Sequence, residues 1–183
     1  MPPETPRIPS PSLIDVFRIQ AEAGRFADRR LAQALLRLPP GEYARPRASW
    51  YGSLQGVLCH VLWADRIWLA RFQGTPLPKL DQRGDPDECP DAAAWAAARE
   101  ACDQAVVDWT QSLAPVDLSR EITCRTTSGE AWLHPLWQAA CHLFNHQAHH
   151  RGQVDAMLAQ SGIPDLLTDM MLYQREAGLA RKG

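Results

Sequence analysis

Residues 142–154 of the chain read HLFNHQAHHRGQV, and the spacing of the histidines in this stretch decides how the rest is interpreted. An α-helix turns by about 100° per residue, so residues four positions apart lie on the same face. His142, His146 and His150 follow one another at this spacing, and His149 lies on the same broad face. The stretch therefore predicts a helix with one histidine-rich face.

Apolar residues recur at spacings of three, four and seven elsewhere in the chain, which is typical of amphipathic helices. Capping residues and helix-ending Pro and Gly set their limits. The predicted helices run over 12–38, 49–72, 91–113 and 135–160. Four long helices in a chain of 183 residues predict an all-α four-helix bundle.

Two smaller elements are expected around the fourth helix. Residues 120–127 are rich in β-branched side chains and precede the turn-forming pair Ser128-Gly129, which predicts a short strand or hairpin. A short C-terminal helix is expected over 165–175. Residues 1–11 contain repeated prolines and are predicted to be an extended arm, and residues 12–183 are predicted to form a single domain.

The composition excludes several classes of protein. The formal net charge of −2 argues against nucleic-acid binding, which needs a strongly positive surface. No stretch approaches the roughly twenty apolar residues of a membrane span, and the N-terminus has no apolar segment typical of a signal peptide. The five scattered cysteines form no Cys-x-x-Cys pair and favour a reducing compartment. A cytoplasmic location is expected.

The histidine spacing suggests a metal site, since two imidazoles one helical turn apart can bind the same ion. The pairs His142/His146 and His146/His150 fit equally well, and spacing does not choose between them. A catalytic site usually needs a third protein ligand, which a bundle can supply from another helix. His60 is the candidate, because it lies among the core-facing residues of the second predicted helix and a buried polar group needs a partner.

Three segments of the chain resemble the DinB-like (YfiT-like) family of metalloenzymes. They are residues 144–154, residues 53–72, which match the second helix of the family, and the turn at 128–130. The resemblance spans about residues 48–162. It implies a four-helix bundle in an up-down-down-up arrangement, commonly a homodimer. It also implies a nickel or zinc ion held by three histidines.

Carried over to this sequence, the metal ligands are His60, His146 and His150. The resemblance thus selects His146/His150 over His142/His146. His134, His142 and His149 are then expected to be structural, exposed or supporting residues. Asp65 and Arg151 also match the family motifs, and we hypothesise that they form an ion pair between two helices.

Three neutral imidazoles would leave a metal its full positive charge, which lowers the pKa of bound water or of a thiol. The resemblance implies thiol-dependent transferases and isomerases among the wider relatives. We therefore expect a metal-dependent enzyme of the thiol S-transferase or hydrolase type, acting on a small molecule, with a low-molecular-weight thiol as one substrate. The alternative is a non-enzymatic dimeric stress-response or binding module with a structural or vestigial metal site. Catalytic residues are not identified, because no Asp or Glu lies one helical turn from a ligand.

Four tryptophans raise a further expectation. Trp50, Trp63, Trp132 and Trp137 fall outside the clearest apolar stripes, so they could line a pocket or a dimer face, although simple packing is the ordinary role of such residues.

Overall fold

The computed structural model of the protein describes residues 10–78, 84–125, 128–164 and 166–183. The chain is predominantly helical, at 63%, and its described part contains five α-helices and a two-stranded antiparallel sheet. In chain order the elements are α1 (Leu13–Leu35), α2 (Leu54–Gln73), α3 (Ala92–Ser112), β1 (Glu121–Arg125), β2 (Ala131–Pro135), α4 (Leu136–Gln160) and α5 (Met170–Glu176).

Side-chain caps define where the long helices begin. Ser12 and Asp15 form a reciprocal capping box at the start of α1, and Asp91 accepts a hydrogen bond from the Ala94 amide at the start of α3. The α2 helix ends at Gly74, whose left-handed φ of 66° is easily adopted by glycine. These signals are local, which is why the sequence predicts them well.

Two predicted helix starts are wrong. The α2 helix begins at Leu54 rather than near residue 49, because Ser53 is its N-cap and Gly52, with φ of 76°, holds the preceding residues in a turn. The α5 helix begins at Met170 after the cap Asp169, and residue 165, where it was expected to start, lies outside the described residues. In both cases a second polar residue further along the chain provides the cap.

The core lies between the four long helices. The α1 and α2 helices each contact both α3 and α4. Aromatic pairs join neighbouring helices, with ring centroids 5.9 Å apart for Phe17 and Phe144 and 4.4 Å apart for Phe72 and Trp109. Burial of each such side chain contributes about 1.5–3 kcal/mol to stability.

The predicted hairpin is present, although residues 126–127 of its first segment lie outside the described residues. The β1 and β2 strands pair antiparallel, with Thr123 opposite Leu133. Ile122 and Cys124 point inward and are buried. The second strand continues directly into α4, where the Leu136 amide donates a hydrogen bond to the Arg120 carbonyl at 2.8 Å. The hairpin thus fixes the beginning of the helix that carries the histidines.

A buried charge cluster ties α1, α2 and α3 together. Arg99 of α3 donates to Asp65 of α2 at 2.6 Å and to Asp103 at 2.9 Å, and it lies 3.4 Å from Asp28 of α1. All four side chains are buried. Gln147 of α4 donates to the same Asp65 carboxylate at 2.8 Å. The cluster therefore connects the four long helices through hydrogen bonds and ion pairs.

The ion pair between Arg151 and Asp65 that the sequence suggested does not form between these two described residues. The Asp65 carboxylate faces α3 and forms its ion pair with Arg99. Arg151 instead lies 3.5 Å from Asp28 and donates a hydrogen bond to the Gly24 carbonyl at 3.2 Å. Asp65 does form an ion pair between two helices, but its partner is Arg99 of α3. Among the described residues, no helix is long and apolar enough to cross a membrane.

Candidate metal centre

The α2 and α4 helices bring His60, His146 and His150 together. The Nε2 atom of His146 lies 3.1 Å from the Nε2 atom of His60 and 3.1 Å from that of His150. One ring nitrogen from each residue lies within 4.8 Å of the others, a grouping that could hold a metal ion. His60 and His150 are buried, and His146 is half-buried.

The two close contacts of His146, with His60 and with His150, suit a shared divalent metal better than a hydrogen-bonded histidine chain. Tetrahedral coordination at about 2.0–2.1 Å places two ligand nitrogens about 3.3 Å apart, close to the observed 3.1 Å. One ring proton can form a hydrogen bond within one pair of these nitrogens. The two nitrogens of the other pair would then face each other with their lone pairs and repel. A cation attracts all three lone pairs at once.

The hydrogen bonds around His150 also suit a ligand. Its Nδ1 atom lies 2.8 Å from Oε1 of Gln153, an acceptor that favours a proton on Nδ1. This tautomer leaves the lone pair of Nε2 directed at the other histidines. An outer hydrogen bond of this kind orients metal-binding histidines in proteins.

Burial keeps the His146 and His150 rings neutral. Burial and, to a smaller extent, the neighbouring His150 and His60 rings lower the pKa of His146 to about 3, because a buried charge is poorly solvated and two positive charges would repel each other. Burial also lowers the pKa of His150. Both residues are therefore deprotonated at neutral pH, which metal binding requires.

A turn before α2 positions His60. The Tyr51 ring stacks on the His60 ring with centroids 4.4 Å apart, and its edge meets His150 at 5.4 Å. The Tyr51 backbone passes so close to Gly56, one helical turn before His60, that a Cβ at Gly56 would overlap the Tyr51 carbonyl oxygen. The glycine allows the turn to lie against the helix.

The other three clustered histidines occupy different positions. His142 lies one turn before His146 and its ring packs on Trp68 at 4.9 Å, while His149 approaches Gln153 at 3.1 Å on the exposed side of α4. His134 lies on β2 opposite Ile122. Burial lowers the pKa of His142, and the positive charge of Arg71 lowers it further.

An open pocket of about 500 Å³ lies beside the three histidines. His60 and His146 form part of its wall, so the cluster is reachable from outside. The rest of the wall is mainly aromatic, with one arginine, and includes Trp50, Tyr51, Trp63, Trp68, Arg71 and His142. Trp50 and Trp63 thus line a pocket, which is one of the two roles, pocket wall or dimer face, that the sequence suggested for them. No wall residue in the described part of the chain is acidic.

Three residues of this pocket, Tyr51, Trp68 and Arg71, were not predicted from the sequence. Trp68 and Arg71 continue the helical stripe that contains His60, at eight and eleven residues further on, so their position was in principle predictable. Tyr51 lies in a turn that was predicted to be part of the second helix. No periodic signal could have placed its ring on His60.

The comparison with known protein families agrees with these observations. The model of the DinB family matches residues 21–182, nearly the whole chain. No curated protein matches the sequence significantly. The family that the three motifs predicted is confirmed, and the chain belongs to the DinB family.

Proposed function

We propose that this protein binds one divalent metal ion, nickel or zinc, through His60, His146 and His150. We further propose that it is a metal-dependent enzyme of the thiol S-transferase or hydrolase type. The observation that carries the proposal is the convergence of three imidazole nitrogens beside an open pocket, with His60 and His146 in the pocket wall. A metal bound there would supply a positive charge that lowers the pKa of water or of a substrate thiol.

The pocket favours an enzyme over a purely structural site. A structural metal site usually has all its coordination positions filled by protein and is closed to solvent. Here the protein offers three ligands, and two of them, His60 and His146, face the pocket. A small molecule in the pocket would be able to reach the fourth position.

His142 is the residue we expect to accept a proton during the reaction. It lies on the pocket wall with its ring centroid 5.8 Å from that of His146. Because its pKa is lowered, it is neutral at pH 7 and its free ring nitrogen can take the proton that a thiol or water releases. The pocket wall has no acidic side chain in the described residues that would perform this task instead.

We also infer an up-down-down-up bundle. Contacts along α2 and α4 run in opposite directions, since His60 meets His146 whereas Trp68 meets His142. Contacts of Arg18 with Thr110 and of Arg25 with Glu100 likewise support antiparallel α1 and α3.

The other two helix pairs support parallel directions. On α2 and α3, Trp95 donates to Leu58 and Phe72 packs on Trp109, so residue numbers rise together along the two helices. On α1 and α4 the same holds, since Phe17 packs on Phe144 and Asp28 pairs with Arg151. Parallel α2/α3 and α1/α4 pairs are what this arrangement requires.

We also propose that the protein forms a homodimer. Trp132 on β2 and Trp137 at the start of α4 are exposed by 56% and 40%, and they lie where the hairpin continues into the helix. Such a group of exposed apolar side chains is a candidate contact with a second copy. Light scattering coupled to size-exclusion chromatography would give twice the chain mass of 20.4 kDa if the proposal is correct.

Chelator treatment followed by reloading tests the enzymatic proposal. Metal-free protein, and protein reloaded with nickel or zinc, are assayed for conjugation of glutathione or cysteine to chlorodinitrobenzene and for hydrolysis of para-nitrophenyl acetate. We expect metal-dependent turnover in one of the two assays. His60→Ala should abolish it, and His142→Gln should lower it while leaving the metal content unchanged.

Gln138→Ala is the control, because Gln138 is exposed near the start of α4 and is not part of the pocket wall described above. Its turnover should equal that of the wild type. Equal rates in metal-free, reloaded and His60→Ala protein would contradict the proposed activity.

A further inference from the structure

Arg71 lies at the far end of the pocket from the histidine cluster. It follows His60 on α2 by eleven residues, about 16 Å along the helix axis at 1.5 Å per residue. Side chains on a helix lean towards its N-terminus, so Arg71 leans back over the pocket. Its guanidinium carbon accordingly lies 4.7 Å from the centre of the Trp68 ring. The cation is therefore held against an aromatic wall of the pocket.

The guanidinium of Arg71 has N–H donors that are not used by hydrogen bonds within the described residues. Its Nε atom is buried and has no hydrogen-bond partner among the described residues. Its Nη2 atom makes one long hydrogen bond, 3.5 Å, to the Arg125 carbonyl. No carboxylate in the described part of the chain lies within 4.0 Å of it, whereas Arg25 and Arg99 both have one at 2.6 Å. Within the described ranges, the charge of Arg71 thus lies beside a cavity without a carboxylate partner.

The part of the pocket between Arg71 and the histidine cluster is suited to the apolar part of a ligand. Trp63 and Trp68 on α2 form its inner wall, and Trp50, exposed by 80%, stands at its mouth. Ile67 adds an aliphatic contact between the two tryptophans of α2. Flat aromatic walls favour a planar aromatic ligand, which can stack on or pack edge-to-face against indole rings.

We propose that Arg71 is the anion-binding residue of this pocket and that the substrate is a small aromatic carboxylate. The guanidinium presents a planar fork of N–H donors that matches a carboxylate, and the absence of acidic wall residues in the described structure favours an anion. The carboxylate binds at Arg71, the ring packs on the tryptophans, and the opposite end points towards His60 and His146. This last statement rests on the proposed function, but binding at Arg71 does not.

Isothermal titration calorimetry with naphthoate tests the inference, using the full chain after chelator treatment. Removing metal beforehand isolates the contribution of Arg71, because a carboxylate could otherwise bind the ion. Naphthamide serves as the uncharged probe of the same shape. We expect naphthoate to bind at least tenfold more tightly than naphthamide.

Two substitutions separate charge from packing. Arg71→Met keeps an apolar stem against Trp68 and should weaken naphthoate binding at least tenfold while leaving naphthamide binding unchanged. Arg71→Lys keeps the charge but loses the planar fork, and it should give an intermediate affinity. The control is Arg66→Met, since Arg66 is on the same helix but pairs with Glu88 and is not on the pocket wall. It should bind both probes as the wild type does.

Equal affinities for the two probes, wild-type affinity in Arg71→Met, or no measurable binding would overturn the inference. Naphthoate binding that appears only after metal reloading and is lost in His146→Ala, but not in Arg71→Met, would also overturn it, since the carboxylate would then be a metal ligand. Conversely, if no metal binds while the dependence on Arg71 holds, the metal proposal fails and the anion site stands.

Discussion

The Nδ1 atom of His150 and the Oε1 atom of Gln153 lie 2.8 Å apart on consecutive turns of α4. An amide oxygen at this position favours a proton on Nδ1 of His150, which leaves the lone pair of Nε2 directed at His146, 3.1 Å away. The same amide group approaches His149 at 3.1 Å through its nitrogen. Gln153 therefore acts on the candidate metal centre without being one of its ligands.

Gln153→Ala should weaken metal binding about 10–100-fold, the usual effect of removing an outer hydrogen bond to a metal-binding histidine. The His150 ring would then be free to rotate and to place its proton on either nitrogen. Competition with a chromophoric chelator measures the change. Gln138→Ala is the control, because Gln138 is exposed near the start of α4, and its metal affinity should remain that of the wild type.

Two helical glycines should respond in opposite ways to alanine. Gly56→Ala introduces a methyl group that overlaps the Tyr51 carbonyl oxygen, so we expect a loss of about 1–3 kcal/mol in the free energy of unfolding. Gly152→Ala on α4 meets nothing within 4 Å and should gain about 0.5–1 kcal/mol from helix propensity. Urea denaturation measures both. An equal effect of the two substitutions would refute the close approach of Tyr51.

Removing Arg99, the cation that the three carboxylates of the buried cluster share, should strongly lower the free energy of unfolding. Arg99→Met leaves Asp28, Asp65 and Asp103 without the guanidinium that pairs with them, and should cost about 3–5 kcal/mol of stability. Arg29→Met breaks a surface pair with Glu100 and should cost less than about 1 kcal/mol. Comparable losses in the two variants would mean that the cluster does not form as described.

The pH dependence of the metal-free protein should report on His146. Its pKa is about 3 in the folded protein and near 6.5 in the unfolded chain, so between these values only the unfolded chain binds a proton. The free energy of unfolding should therefore fall as the pH is lowered from about 6.5 towards about 3. His146→Gln should flatten the dependence in that range. Identical curves for the variant and the wild type would contradict the lowered pKa.

Much of the fold follows from the sequence because its signals are local. Caps such as Ser12 and Asp91, the stop at Gly74 and the periodicity of the apolar residues each act within a few turns of one helix. The start of α2 was misplaced because Ser49 and Ser53 both resemble N-caps, and only the turn at Gly52 excludes the first.

The candidate site was only partly predictable. Helical spacing limits which histidines can face one another, but two pairs on α4 satisfied it, and the family resemblance was needed to choose His146 and His150. The partner of Asp65 depends on which helices are neighbours in space. Arg99 and Asp103 lie on the same face of α3 as the core residue Trp95, so their helical spacing alone predicts that both are buried.

Elemental analysis of protein purified without a histidine tag tests the central claim most directly. After incubation with nickel or zinc and removal of free ions, inductively coupled plasma mass spectrometry should find one metal ion per chain in the wild type and in the control His134→Ala. The count should fall to background in His60→Ala, His146→Ala and His150→Ala. A wild type that retains little metal, with no further loss in His60→Ala, would contradict a three-histidine metal centre.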